Sequence, residues 1–506
     1  MGFKTLSTWN QMAPRVYTGH CFCFPYLPNG NAQALESHLR TTLDALASRV
    51  PLLRHVIKPH PDHPDKIVLV PSGDDAPAIP LKVTDERRSF GWTYRQLQSR
   101  SFPAQAFVGN AFELPPSLPT PDRGVPLFGV DAKLIEGGLL IVNRLHHSVA
   151  DGVGRTAITN AFASLTRDPS AQVPPIDIDA DISPAAEPDL PAAELMAQTP
   201  EYRLLDAPYG PTIPYLGPPG PPFGSIRRTG RTFVVAPHAL AQLRQQLTGN
   251  SGAKPPSSFT SLAALTWAHA TKARLSAIEG SAAATVDSNT NTGAAQSIAE
   301  DGSEYWEQGK GKGETARIVT VVNWRGRAFK NVPELTATAG NAVAIPAADV
   351  ALGTVLAAAG HHKDANGSGI EALRAVAQAI EASARTVDDG FVATRTALAR
   401  RIHDLRFLGI EGDPREAKAF AFNTWRHLYT ETPGWVLPGV PQQGDDGVQP
   451  DAVRRSQKEW DMGYGFILPQ RKGFDGLEVL VTLEPEAMDA LVADKSWRSW
   501  MKEVIE

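Results

Sequence analysis

Cysteine is nearly absent: the 506-residue chain has two, Cys21 and Cys23. They lie two apart in a stretch, Val16 to Tyr26, that reads as a strand, so they face the same way and are poorly placed to bridge. No disulfide framework can be built from them, and no C-x-x-C or Cys/His spacing suits zinc. A reducing cytoplasmic setting is the expectation, with no metal. Long apolar runs are missing too, and nothing approaches the roughly 18 to 20 residues that cross a bilayer. The opening, Met1 to Asn10, lacks the apolar core of a signal peptide, and Leu6 breaks the Gly2 myristoylation pattern. Neither sign of charge dominates. Asp and Glu number 54 against 49 Lys and Arg, a net charge of −5. Without a dense basic run interleaved with aromatics, nucleic acid is not an expected partner. Nor is a membrane.

What is present is a globular composition, too long for one core, so two domains of about 200 to 250 residues are expected, with a ligand cleft between them. Leu35, Leu39, Leu43, Leu46 and Val50 recur at helical spacing, which predicts a helix from Gln33 to Val50, stopped by Pro51. Leu127 to Leu134 and Leu139 to Leu145 read as a hairpin turning at Glu136-Gly137-Gly138. Ile158, Phe162 and Leu165 then predict a helix over Gly154 to Leu165. Three stretches break this order. Pro169 to Pro222 is rich in Pro and Ala and reads as a crossover. Ser276 to Glu314 is of low complexity and reads as a mobile insertion, as does the irregular Thr430 to Ser456. Phe259 to Leu275 reads as helix and Ile318 to Asn323 as strand. No tandem repeat is found.

The hairpin's second strand ends in His146-His147-Ser148-Val149-Ala150-Asp151-Gly152, immediately before a helix. In an alternating strand His147 shares a face with Asn143 and Leu145, while His146 faces the other way with Arg144, so one imidazole alone enters a given cleft. A neutral imidazole can take a proton from a hydroxyl or amine near neutral pH. Asp151 is placed to order the loop, and Gly152 to permit its turn. Taken alone, a histidine at a strand end is more often a core residue. A metal site would need a third ligand that the flanking residues do not offer.

The company of this segment changes the balance. His146 to Gly152 resembles the HHxxxDG form of the HxxxD motif of the chloramphenicol acetyltransferase-like superfamily. Asp461-Met462-Gly463-Tyr464-Gly465 resembles the DFGWG motif of the BAHD acyltransferases. Between them, Ser257-Ser258-Phe259 with Trp267, Asn323-Trp324-Arg325-Gly326-Arg327, Gly340-Asn341 and Thr424-Trp425-Arg426 follow in the family's order. Gly476 to Val481 and the helix starting at Glu484 match its close. Met462 and Tyr464 stand where plant members carry Phe and Trp, which suits a fungal branch resembling trichothecene O-acetyltransferases.

The resemblance implies an α/β (α+β) fold of two chloramphenicol acetyltransferase-like domains, mixed sheets flanked by helices, with an active-site tunnel between them. The expected bounds are an N-terminal domain over 1–170, a linker over 171–224, and a C-terminal domain over 225–506 with insertions at 276–314 and 430–456. It implies His147 as general base and Trp425 as an oxyanion donor with Asn423 or Thr424 beside it. Asp151 would pair with Arg325, or failing that Arg327. Asp461, Gly463 and Gly465 would shape the wall of the CoA channel, and Ser257 and Ser258 would be candidates for CoA contact. The implied enzyme is a monomeric acyltransferase that uses acyl-CoA, with acetyl-CoA the first choice, as co-substrate for a small specialised metabolite and holds no permanent cofactor. The HHxxxDG form is also that of condensation domains fed by a carrier protein, and a non-catalytic metabolite-binding relative is the third reading.

Overall fold

The computed structural model describes residues 2–72, 79–178, 187–209, 223–249, 254–287, 313–332, 337–360, 368–442, 444 and 446–506. Two sheets organise the chain. The first has five strands in the order Ala452–Ser456, Tyr17–Pro25, Gly138–His146, Phe128–Ile135 and Leu81–Asp85. The second has seven, in the order Ala347–Ala351, Thr315–Thr320, Ala419–Thr424, Tyr464–Ile467, Leu477–Leu483, Thr229–Val235 and Met501–Ile505. Both mix parallel and antiparallel pairs, so the α/β expectation of mixed sheets flanked by helices describes what is seen.

Local sequence explains the elements around the first sheet. Asn31 accepts from the backbone N–H of Gln33 and Ala34 and so caps the helix Ala32–Arg49, supplying partners that a helix start otherwise lacks. The stripe Leu35, Leu39, Leu43 and Leu46 is fully buried against the sheet. The hairpin turns at Gly137, whose φ of 72° suits glycine. Its strands, Phe128–Ile135 and Gly138–His146, lie in register from Phe128 opposite Leu145 to Ile135 opposite Gly138. The helix Gly152–Arg167 follows, burying Ile158, Phe162 and Leu165 in the same core. The second core gathers around the 30-residue helix Ser258–Asp287, with Trp267 sealed within it. Among the described residues no helix is long and apolar enough to cross a membrane.

The expected insertion over 430–456 is corrected. Ala452–Ser456 pairs antiparallel with Tyr17–Pro25, and Trp435, Leu437, Val440, Val448 and Val453 pack into the first core. Burial of those side chains holds a segment whose Pro and Gly content reads as loop. The N-terminal sheet is therefore completed by a strand from far downstream. Most of the other expected insertion, 276–314, lies outside the described residues, although its start continues the long helix. The Pro-rich crossover lies partly outside them too. Within it a helix, Ala192–Ala197, and a strand, Tyr202–Leu204 paired with Leu408–Ile410, are formed.

Candidate active site

The strand carrying both histidines ends at His146, and the two rings part there as alternation predicts. His146 is sealed in the core. Its Nε2 lies 3.0 Å from the Ser117 carbonyl, and its Nδ1 accepts from the Ser148 N–H. Both ring nitrogens are thus spent on backbone, and burial pushes its pKa down to about 3. His147 differs. Its ring is half-buried, with Nδ1 sealed and Nε2 not among the sealed atoms. Burial lowers its pKa below the ordinary value and Arg155 lowers it further, while a hydrogen bond to its own backbone, Asp151 and the Asn341 side chain oppose the shift. The imidazole is therefore neutral near pH 7.

The loop bearing His147 is clamped from both sides. The His147 N–H donates to the Val16 carbonyl at 2.8 Å, and the His147 carbonyl accepts from Asn341 Nδ2 at 2.7 Å. Asn341 in turn donates to Asn10 Oδ1 through both its side chain and its backbone N–H. Asn10, buried in the short helix Thr8–Met12, has no local sequence signal of function. Ser148 Oγ donates to the Ala13 carbonyl at 3.3 Å.

Asp151 does two things at once. Its Oδ1 caps the helix Gly152–Arg167, accepting from Val153 and Gly154 N–H. Its Oδ2 accepts from Arg325 Nη1 at 2.8 Å and from Ala342 N–H at 2.9 Å. Arg325 spreads its remaining donors over the carbonyls of Thr338 and Gly340 and over Asn323 Oδ1. The ion pair is buried, with side chains 2% and 5% exposed, and ties the His147 loop to the downstream half of the chain. Arg327 points elsewhere, to the Ala384 carbonyl.

The expectation that Gly152 permits a turn is corrected. Its φ is not positive, and a Cβ there would meet only the flexible Leu428 side chain at 3.2 Å. The constrained glycine is Gly154, where a Cβ would fall 1.9 Å from the Ala339 carbonyl oxygen. Here the helix start and the 338–342 segment touch backbone to backbone.

Trp425 sits half-buried beyond the strand Ala419–Thr424, and its ring stacks on His20 at 4.2 Å between centroids. Phe466 packs against it, and the Arg455 guanidinium lies over both rings. Asn423 Oδ1 accepts from Thr424 N–H. Arg455 also pairs with Asp461 at 2.6 Å, so the second motif reaches this cluster through its first residue. Gly463 has a φ of 58°, and a Cβ on Gly465 would fall 2.5 Å from the Phe422 ring, so both positions require glycine. Ser257 Oγ accepts from the Thr260 N–H and caps the helix Ser258–Asp287, leaving its side chain occupied. Burial pushes the Cys21 thiol well above its ordinary pKa, which keeps it inert as a nucleophile. Among the described residues no group of three His, Cys, Asp or Glu could hold a metal.

Three residues of this neighbourhood are absent from the sequence reading: His20 and Arg155, which act electrostatically on His147, and Tyr429, which bonds His20. His20 faces Asn143 in the ladder and so shares the predicted His147 face. The signal for it is a lone histidine inside the apolar run Tyr17 to Tyr26.

Comparisons with known proteins bear on the family resemblance and on the fold. Residues 16–165 match the model of the trichothecene 3-O-acetyltransferase-like N-terminal domain. Trichothecene 8-O-acetyltransferase of Fusarium sporotrichioides is 23% identical over 504 residues, covering 92% of each chain. Acyltransferase easC of Emericella nidulans is 27% identical over 202 residues, and that match covers 39% of this chain and 39% of the relative. Among solved structures, F. graminearum TRI101 complexed with coenzyme A and deoxynivalenol superposes with a TM-score of 0.72 at 16% identity over all of both chains. Vinorine synthase gives 0.56 at 14% identity, over 99% of this chain and 94% of that one. The resemblance read from the motifs therefore stands, and the fold is the one shared by TRI101 and vinorine synthase.

Proposed function

We propose that this chain is an acyl-CoA-dependent acyltransferase, with acetyl-CoA the first-choice donor, acting on a hydroxyl or amine of a small specialised metabolite. The observation that carries it is His147, a neutral imidazole with Nδ1 sealed and Nε2 left outside the sealed atoms, on a loop anchored by both halves of the molecule. Relatives named as acetyltransferases, and a fold shared with a protein solved in complex with coenzyme A and a small molecule, support the reaction class.

In the proposed step His147 Nε2 accepts the proton of the acceptor's O–H or N–H as that atom attacks the thioester carbonyl. A tetrahedral oxyanion forms. Its collapse expels CoA as the thiolate, which takes the proton back from the imidazolium, and no acyl-enzyme is made. Trp425 Nε1–H is the proposed oxyanion donor, with Asn423 and Thr424 beside it, and such a preorganised donor is worth about 3 to 4 kcal/mol of barrier. Asp151 and Arg325 hold the loop without touching substrate. Asp461, Gly463 and Gly465 shape the channel wall. Ser258, with the first-turn N–H groups of its helix, is the proposed CoA contact, since the Ser257 side chain is occupied by its cap. The protein is proposed to act as a cytoplasmic monomer.

Incubating the purified chain with a panel of acyl-CoAs and a host metabolite extract, and reading mass shifts, tests this. Acylated products that require acyl-CoA support the proposal. Products formed from acyl-carrier protein alone would move the chain to the condensation class.

A further inference from the structure

His20 lies in the strand Tyr17–Pro25, 3% exposed, on the face that the ladder assigns to Asn143 and Leu145. Its Nδ1 is 2.7 Å from the Tyr429 hydroxyl. Its Nε2 has no hydrogen bond among the described residues and is not among the sealed, partnerless atoms. A ring buried on nearly every side therefore keeps one polar atom toward open space, stacked against Trp425 and within electrostatic reach of His147.

Which nitrogen carries the proton follows from the donors around Tyr429. Arg155 is buried beneath the strand, donating to the carbonyls of Asn143, Thr18 and Leu145 and to Thr18 Oγ1. The Arg155 charge also acts on the Tyr429 phenol and favours electron density on its oxygen, while the one hydrogen-bond partner of that hydroxyl among the described residues is His20 Nδ1. A guanidinium is positive and can only donate, so the phenol turns its oxygen lone pairs toward Arg155 and its proton toward its geometric partner, His20 Nδ1. A neutral imidazole with Nδ1 accepting carries its hydrogen on Nε2.

We propose that His20 is a fixed-tautomer positioning residue whose Nε2–H donates a hydrogen bond to an oxygen of the reacting pair, with Arg155 and Tyr429 setting its tautomer. This rests on the acyltransferase reading for the ligand, but the tautomer does not. The ligand chemistry is an acceptor oxygen, a carbonyl, ether or hydroxyl, which comes either from the acyl-CoA or from the small molecule. A cationic group is disfavoured there, because Arg155 and Arg455 both lie near the ring.

The test is nuclear magnetic resonance of the full chain with ¹⁵N-labelled histidine, using His20→Phe to identify the signal and preserve the stack on Trp425. The expected result is a neutral His20 with its proton on Nε2, shifting to mixed tautomers in Tyr429→Phe. Titration with acetyl-CoA in one arm and deoxynivalenol in the other should move that signal, and the arm that does so names the source of the oxygen. In acetyl transfer His20→Phe should lose roughly 10- to 100-fold in kcat/KM, while His20→Gln, which keeps an N–H near that position, should recover most of it. A proton on Nδ1 overturns the proposal, as does a His20 signal that stays put in both arms while acetyl-CoA moves that of His147. If acetyl-CoA moves no histidine signal at all, it is the CoA reading that fails, and the tautomer result still decides the relay.

Discussion

Removing the Asp151 carboxylate should reveal how much of the fold's stability is invested in holding His147. Asp151→Ala strips four accepted hydrogen bonds, two at the helix start and two from the downstream half of the chain. Loss of the cap costs about 1 kcal/mol. Loss of the counter-ion leaves Arg325 buried and charged, at about 3 to 5 kcal/mol. Arg325 keeps its bonds to Thr338, Gly340 and Asn323, which places the sum near the lower end, about 4 kcal/mol against a typical total of 5 to 15. At about 2 °C per kcal/mol the melting temperature should fall by roughly 8 °C. Calorimetry of Asp151→Ala, Arg325→Met and the double variant checks this. The double variant should be more stable than the sum of the single losses predicts, because the stranded charge is gone, with a coupling of about 1 to 3 kcal/mol. A wild-type melting temperature for Asp151→Ala, or strict additivity in the cycle, would mean that the carboxylate does not clamp the loop to Arg325.

Gly154→Ala should cost more than 3 kcal/mol, roughly, by forcing a backbone apart, whereas Gly152→Ala should cost little; chemical denaturation of the pair compares them, and equal losses would contradict the close approach to Ala339. The acid limb of kcat/KM should lie below the ordinary histidine value of about 6.5, because burial holds the His147 pKa down; a limb above pH 7 would assign the base elsewhere. Stability should also fall with acid. His20, His146 and His147 are held neutral by burial, so their contribution is complete above about pH 6.5 and is lost as the pH falls, in the case of His146 toward about 3. Unfolding midpoints measured from pH 8 to 4 read that slope.

Much of the fold was legible because its signals are local. The helix Ala32–Arg49 announces itself by its leucine spacing, the hairpin by the turn at Glu136-Gly137-Gly138, and the parting of His146 from His147 by strand alternation alone. The Arg325 partner came from resemblance, since nothing local ties it to Asp151. What stayed hidden depends on register between distant segments. Asn10 matters because Asn341 reaches it, and His20 because Tyr429 and Trp425 fold over its strand. The role of Gly154 depends on a carbonyl from the other half of the chain, so Gly152, adjacent to the motif aspartate, drew the attention instead. Thr430 to Ser456 misled by composition: its prolines and glycines read as loop, while Trp435 and Val448 fill a core made by residues far upstream.

The claim on which the rest depends is that His147 removes the acceptor's proton in a direct transfer from the thioester. Product formation by His147→Ala, measured by mass spectrometry with acetyl-CoA and the acceptor that the metabolite screen identifies, tests it. The expected result is a loss of at least about 100-fold with an unchanged melting profile. Turnover close to that of the intact protein would contradict it.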